Sequence, residues 1–547
     1  MFVRIPALLL VAAAVVTAAA SCGSPDQNGD AVPGIIPAPA SFELHHDAAP
    51  FRLTDHARIV VRGEGAVAVA EAFAAPVRRA TGLELPVVEG DAVTSDLSFE
   101  VSPGAAPDGA AEGYTLESEA DGVRLRAGTA EGLFRGTQSL RQLLPSEIER
   151  ADATTPPPGG WTVPAASVAD APRFAYRGVM LDVARHVFAV EDVLDLIDRI
   201  ALLKFNVLHL HLTDDQGWRL EIESWRALTE IGASTSVDGA GGGFYAKADF
   251  RRIIEYAAAR FVTVVPEIDV PGHTNAALSA YPELNCDGVA PAPYEGTSVG
   301  FSSLCASPAR AEATDRFLAD VTREVAELTP GPWLHLGGDE SLATSVADYR
   351  DLVRRITAAG AATGKTIIGW HEMGASRELP PGTVGQYWSF IDPDGGAAAL
   401  ARSFVEQGGQ VIMSPADVAY LDMRYPDDPE GPLGRRLGQD WAKGPTTLEE
   451  SYAWEPTAIV SGVGEADILG VEAPVWTEFI TAAAEVEFML FPRAAAIAEI
   501  GWSPAGPRDV PGFLARVAGL GERLDALGVR YHRVAGVPWE ERATSAR

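Results

Sequence analysis

From Tyr176 onward the chain repeats one pattern: a short apolar run, a polar break, then a stretch with helical spacing. The runs fall at residues 178–181, 207–212, 262–268, 333–336, 366–370, 384–388, 411–413 and 469–471. Eight strand-helix units of this size predict an α/β fold closed into a (β/α)8 TIM barrel. An open doubly wound sheet would carry a glycine-rich phosphate loop after its first strand, and here that position reads Asp182-Val183-Ala184-Arg185.

A chain of 547 residues exceeds one ordinary core, so the barrel should not stand alone. Before it, residues 66–81 and 132–144 have helical spacing, while 114–116 and 123–127 alternate like strands. They predict a small α+β domain preceding the barrel. The Thr-, Pro- and Gly-rich stretch 151–160 reads as the connection between the two. The organisation expected is therefore an export signal at 1–22, a linker at 23–30, the small domain with its connection at 31–172, the catalytic barrel at 173–535 and a tail at 536–547. Residues 513–527 within the barrel segment are helix-like.

The signal is read from Arg4, an apolar run from Ile5 to Ala20, then Ser21 and Cys22. That run is too short for a stable membrane span. Ala19-Ala20-Ser21-Cys22 resembles the cleavage site of bacterial lipoproteins, with Cys22 as the lipidated residue and the membrane reached only through that anchor. Ala19 stands where leucine is usual, so secretion after cleavage at Ala20 is the alternative. The chain has three cysteines, and export leaves Cys286 and Cys305 to pair as a disulfide, two buried thiols being the other reading. A formal charge of −32 repels nucleic acid and suits a neutral substrate.

A barrel places its chemistry just beyond the carboxyl ends of its strands. Polar and aromatic residues collect there: Asp182 and Arg185, Asp214 and Asp215, Asp269 and His273, Asp339 and Glu340, Trp370 and Glu372, Trp388, Tyr420 and Asp422, Trp476 and Glu478. In Leu336-Gly337-Gly338-Asp339-Glu340 two glycines allow the bend that could turn neighbouring acids toward one ligand. Most glycosidases need two carboxylates on opposite sides of the scissile bond, and adjacent residues cannot straddle a sugar. If Glu340 protonates the leaving oxygen, Asp339 is better placed to balance charge on a 2-acetamido group attacking its own anomeric carbon.

Several longer stretches carry a family resemblance. Pro172-Arg173-Phe174-Ala175-Tyr176-Arg177-Gly178-Val179-Met180-Leu181-Asp182-Val183-Ala184-Arg185-His186, then His209-Leu210-His211-Leu212-Thr213-Asp214-Asp215 and Pro266-Glu267-Ile268-Asp269-Val270-Pro271-Gly272-His273, resemble glycoside hydrolase family 20, the β-N-acetylhexosaminidases. So do His335 to Glu340 and Gly470-Val471-Glu472-Ala473-Pro474-Val475-Trp476-Thr477-Glu478, in the same order. The resemblance implies an exo-acting retaining hydrolase of terminal β-linked GlcNAc or GalNAc, with an N-acetylhexosamine-terminated glycan as partner and no cofactor. Asp339 would orient the acetamido N–H, Glu340 would be acid and then base, and Tyr420 would bond the acetamido oxygen. Trp370, Trp388 and Trp476 would wall the sugar; Arg185, Asp422 and Glu478 would hold its hydroxyls; Trp441 would face the leaving group. Asp269 would orient His273 toward Glu340 as a proton relay, and Cys286 with Cys305 would staple a barrel loop.

His209 and His211 lie on one strand face with Asp214 and Asp215 close behind, a spacing that invites a metal. The reading preferred here has no metal: the histidines hydrogen-bond inside the barrel and Asp214 touches the substrate at the acetamido site. Rival functions are a silent glycan-binding lipoprotein, which could lose either acid, and a metal-dependent amidohydrolase on the same fold. Oligomeric state is left open by the sequence.

Overall fold

The computed structural model describes residues 34–152 and 155–539. The expected signal, its Cys22, the linker and residues 540–547 of the tail lie outside the described residues.

The eight predicted runs form eight parallel strands, closed in chain order into a barrel. They are β1 (Tyr176–Asp182), β2 (Val207–His211), β3 (Thr263–Glu267), β4 (Trp333–His335), β5 (Thr366–Trp370), β6 (Val384–Tyr387), β7 (Val411–Met413) and β8 (Ile468–Val475). Closure comes from β8 pairing with β1, Gly470 opposite Tyr176 and Val475 opposite Leu181. Only glycine fits at that seam, because a Cβ on Gly470 would lie 1.7 Å from the Tyr176 carbonyl oxygen.

Alternation along each strand decides what it gives to each side. In β2, Leu208 and Leu210 join the large apolar core between barrel and helices. Val207 instead joins a plug with Tyr176, Val265, Ile368, Val384 and Ile412. Above the plug the interior turns polar, with His209, Glu267, His335, Gln386 and Glu472 all fully buried. Helices such as Val190–Leu202 cover the outside, burying Val193, Ile197 and Ile200 at helical spacing. The helix-like stretch near the C-terminus is Val510–Ala526.

The small domain is a seven-stranded mixed sheet in the order Ser41–Leu44, Ala166–Asp170, Tyr114–Glu119, Gly122–Ala127, Asp96–Val101, Ile59–Arg62 and Val87–Glu89. One prediction needs correcting. The stretch 151–160 is not the link to the barrel, because the chain returns after it to lay Ala166–Asp170 between two strands of the small sheet. Helix Ala66–Thr81 ends at Gly82, whose left-handed φ of 71° lets its N–H reach the Arg78 carbonyl. Helix Ala130–Leu143 buries polar as well as apolar residues. The cause is visible at Arg135, which donates to the carbonyls of Phe205 and Phe261 just before β2 and β3. That helix is therefore covered by the small sheet on one side and by the amino-terminal end of the barrel on the other.

Buried ions lock the two parts together. Glu112 of the small domain accepts from Arg135 Nε at 2.8 Å and from both terminal nitrogens of Arg177 on β1. Burial works against its charge, but Arg177 and Arg135 win and hold the carboxyl down at about 2. Beside it, Asp170 accepts from Lys204 Nζ and Trp502 Nε1, both at 2.9 Å. Removing one partner of such a cluster strands a buried charge. Glu112→Ala should lower the unfolding free energy by about 3–5 kcal/mol, read as an earlier urea transition. Because the pKa is depressed, the Glu112 contribution is complete above pH 4.5 and fades toward pH 2; an unchanged transition at neutral pH would contradict it.

Candidate active site

The carboxyl ends of the strands open into a cavity of about 600 Å³. The structure brings Arg185, His273, Asp339, Glu340, Trp370, Trp388, Tyr420, Trp441, Trp476 and Glu478 to its walls. Trp370 and Trp476 lie 5.9 Å apart between ring centres, Tyr420 and Trp441 also 5.9 Å, and Trp388 and Trp441 6.0 Å. These faces exclude water and match the apolar side of a pyranose.

The paired acids owe their placement to backbone shape. After β4, Gly337 has φ 58° and Gly338 φ 106°, and Glu340 itself is left-handed at 44°. A non-glycine residue is held in that region only by its surroundings. The turn replaces strand alternation, so Asp339 and Glu340 both face the cavity. Asp269 supports the turn by accepting from the Gly338 N–H at 3.2 Å. Asp339 keeps its Oδ1 buried and without a hydrogen-bond partner, ready for a donor from a ligand.

Burial drives Asp339 up to about 7, with Glu372 and Glu340 adding to the rise and the nearby His273 opposing it. Burial likewise takes Glu372 to about 7. Glu372 also accepts from Trp388 Nε1 at 2.9 Å, which fixes that wall. Tyr420 is raised well above the ordinary phenol range by burial, so its hydroxyl remains a donor.

Two sequence expectations change here. Asp269 does not orient His273; Asp214 does, with its Oδ1 3.2 Å from His273 Nδ1. Burial beside Asp339 pushes Asp269 upward, a poor arrangement for holding an imidazolium, whereas Asp214 is held low against burial by Arg185 and His273. Nor does Asp214 touch the substrate space. It is 1% exposed, behind the wall, with Oδ2 2.8 Å from Arg185 and 3.0 Å from His211. The other His273 nitrogen lies 3.4 Å from Glu340 and 3.6 Å from Asp339. The order is thus Asp214, His273, Glu340.

Asp422 sits just behind the cavity, its Oδ1 accepting from the Trp476 N–H at 3.3 Å and its Oδ2 unpartnered. Cys286 and Cys305 form the disulfide, closing the loop that brings Thr297 and Val299 to the cavity. Asp215 pins the same loop through Ser302 at 2.5 Å. The four groupings with metal-like spacing are all built from the residues of this network and the tier below it. In the first of them, His209, Glu267 and His335 face one another, and Glu267 also takes the Trp370 indole N–H. Glu372, named in sequence among the strand-end residues but given no role, and Gln439 also line the cavity. The strand-end rule that found Glu340 found Glu372 as well; Gln439 lies on an irregular loop with no periodic signal.

The glycine turn gives a direct test. A Cβ at Gly337 would fall 1.7 Å from Asp269 Oδ1, on a backbone already left-handed. Gly337→Ala should lose at least about 100-fold in kcat/KM, the scale of a 1 Å misplacement, while circular dichroism stays native; near-normal turnover would contradict this account of the turn.

Comparison with known proteins identifies the family. Residues 174–348 and 344–505 match Glycosyl hydrolase family 20, catalytic domain, and residues 32–171 match its domain 2. A β-N-acetylhexosaminidase of Cellulomonas fimi is 41% identical over 512 residues, 92% of this chain and 97% of its own. The GH20 β-N-acetylhexosaminidase of Streptomyces coelicolor A3(2) superposes with a TM-score of 0.87 at 43% identity, covering 93% of this chain and 99% of its own. A Streptomyces plicatus β-hexosaminidase variant in complex with its product GlcNAc superposes at 0.86 and 42%, covering 93% and 98%. Both halves of the fold thus have counterparts over nearly the whole length, and the chain belongs to glycoside hydrolase family 20.

Proposed function

We infer that this enzyme is an exo-acting, retaining β-N-acetylhexosaminidase that hydrolyses terminal β-linked GlcNAc or GalNAc with the substrate's own acetamido oxygen as nucleophile. The observation that carries the reading is Asp339, which lines a tryptophan-walled cavity beside Glu340 and keeps one buried oxygen without a partner.

Glu340 gives its proton to the glycosidic oxygen as that bond breaks, and the acetamido carbonyl oxygen closes on the anomeric carbon from the other face. The bicyclic intermediate carries positive charge. Asp339 accepts the amide N–H and balances that charge, and the Tyr420 hydroxyl donates to the acyl oxygen as it turns toward attack. Water then enters on the side the leaving group left, Glu340 takes its proton, and two inversions restore the β-anomer. His273, held by Asp214, moves with Glu340's change of charge. Arg185 and Glu478, 4.0 Å apart on one wall, present a donor fork and an acceptor to hydroxyls of a chain end, with Asp422 behind them. Trp441, 44% exposed at the rim, offers a face to the leaving group.

Carboxylates that survive in both acid positions favour an enzyme over a silent glycan-binding protein. His209 and His211 each hydrogen-bond to carboxylates inside the barrel, and membership of family 20 favours a glycosidase over a metal-dependent amidohydrolase.

We further propose that the chain is exported and held at the cell surface by lipid on Cys22. The apolar run ending in Ala-Ala-Ser-Cys supports this, as does a disulfide, which persists in oxidising compartments. No described helix is long and apolar enough to cross a membrane.

Three outcomes check these readings. Aryl β-GlcNAc and β-GalNAc glycosides should be cleaved and β-glucosides spared, while Glu340→Gln should cost about 10²–10⁴ in kcat for poor leaving groups and less for activated ones; comparable β-glucoside cleavage would refute neighbouring-group catalysis. Asp339 must be ionised, so kcat/KM should fall as pH drops below about 7, and removing the Glu372 charge with Glu372→Gln should carry that limb to lower pH; a limb that stays put excludes the coupling. Labelled palmitate should enter the native chain and not Cys22→Ser, and equal labelling of the two would remove the anchor.

A further inference from the structure

Beneath the cavity floor lies a second tier of ionisable groups that the reaction above does not use. Glu267, at the end of β3 and 0% exposed, is its centre. Its Oε1 accepts from the Trp370 indole at 2.9 Å, and its Oε2 accepts from His211 Nδ1 at 2.5 Å. His209 from β2 and His335 from β4 bring ring nitrogens within 3.1 and 3.0 Å of the same carboxylate. Glu472 faces His209 from β8 at 3.0 Å, with Tyr176 and Gln386 donating to it in turn. On the cavity side, His211 Nε2 donates to Asp214 at 3.0 Å. An imidazole with a carboxylate at each nitrogen keeps both protons, and the anions raise His211 well above the ordinary histidine range although burial opposes them.

Barrel interiors are ordinarily filled by layers of branched apolar side chains, and buried ion networks are at best neutral for stability. A polar tier whose members reach upward to one cavity wall and one proton path calls for a different reason. We propose that Glu267 is a positioning residue for acid catalysis: one carboxylate fixes the Trp370 wall and, through His211, sets the field of Asp214 that holds His273 on Glu340. This rests on Glu340 being the acid, as inferred above.

Glu267→Gln isolates the electrostatic part. The Gln oxygen still accepts from Trp370, and its amide can donate to a His211 that keeps a single proton, on Nε2 for Asp214. The hydrogen bonds survive, but the positive charge facing the site is lost. The Glu267 anion goes as well, but His211 is the nearer charge, bonded directly to the Asp214 that holds His273, so the potential at the His273–Glu340 pair becomes more negative and its proton is held more tightly. Titratable groups facing Glu267 are His209 and His211 from β2 and His335 from β4, with Asp214, Asp269 and Asp339 above and Tyr176 and Glu472 across the barrel.

The experiment compares kcat, KM and the pH profile of kcat/KM for native enzyme, Glu267→Gln, Glu472→Gln and Glu340→Gln on aryl β-GlcNAc. For Glu267→Gln we expect kcat to fall about tenfold or more with KM little changed, and the basic limb to rise by on the order of half a pH unit. Glu472→Gln, equally buried but bonded to His209, Tyr176 and Gln386 rather than to His211, should lower melting temperature without moving that limb. If Glu267→Gln does not fold, His211→Gln tests the same link and should raise the limb likewise. A Glu267→Gln enzyme with the native profile overturns the proposal, and so does an equal limb shift in Glu472→Gln. A Glu340→Gln enzyme as fast as the native one on an aryl β-GlcNAc with a poor leaving group would instead sink the assignment of the acid, a result separate from either.

Discussion

Carboxylates cannot be buried side by side without cations among them, and the upper half of this barrel is arranged around that constraint. Asp182, Asp214, Asp269, Asp339, Asp422 and Glu267 are each 8% exposed or less. Arg185, His211 and His273 are set between them. Asp214 is where they meet, bonded to Arg185 on the wall, His211 below and His273 beside the acid. Where cations do not outweigh it, burial raises the carboxyl, and Asp339 and Glu372 are raised acids at the cavity that a positively charged intermediate would relieve. The same physics that makes the free site costly thus favours the transition state.

The fold explains why such a site is tolerated. The amino-terminal end of the barrel is closed by its apolar plug and by helix Ala130–Leu143 of the small domain, tied down through Glu112, Arg135 and Arg177. Stability is concentrated there. The opposite end is left free for glycine turns, left-handed residues and unpartnered oxygens, which would be defects in a core.

Much of this was legible before any coordinates. Strands such as β5 and β7 are apolar runs cut by polar breaks, and runs of that kind announce themselves; the helix at Ala66–Thr81 shows its spacing just as clearly. Residues at strand ends could be named because a barrel puts its chemistry there. What sequence did not show was connectivity between side chains. Asp214 and Asp269 both follow a strand by two or three residues, and only three-dimensional packing decides which of them meets His273. The 151–160 stretch misled for a related reason: turn-forming composition marks a break in the chain, but not which sheet the next strand joins. Helix Ala130–Leu143 showed one apolar face in sequence, and its burial on both sides depends on the barrel beneath it.

The central claim is that the substrate's amide oxygen is the nucleophile, with Asp339 steadying the charge it creates. Fluorine on the N-acyl methyl group drains electron density from that oxygen while changing its size little. The most direct measurement is kcat/KM for aryl β-glycosides bearing acetyl, fluoroacetyl, difluoroacetyl and trifluoroacetyl groups. Attack by the acyl oxygen predicts a steep fall with each added fluorine; a flat series would mean that an enzyme carboxylate or water attacks instead, and the roles given to Asp339 and Tyr420 would not stand.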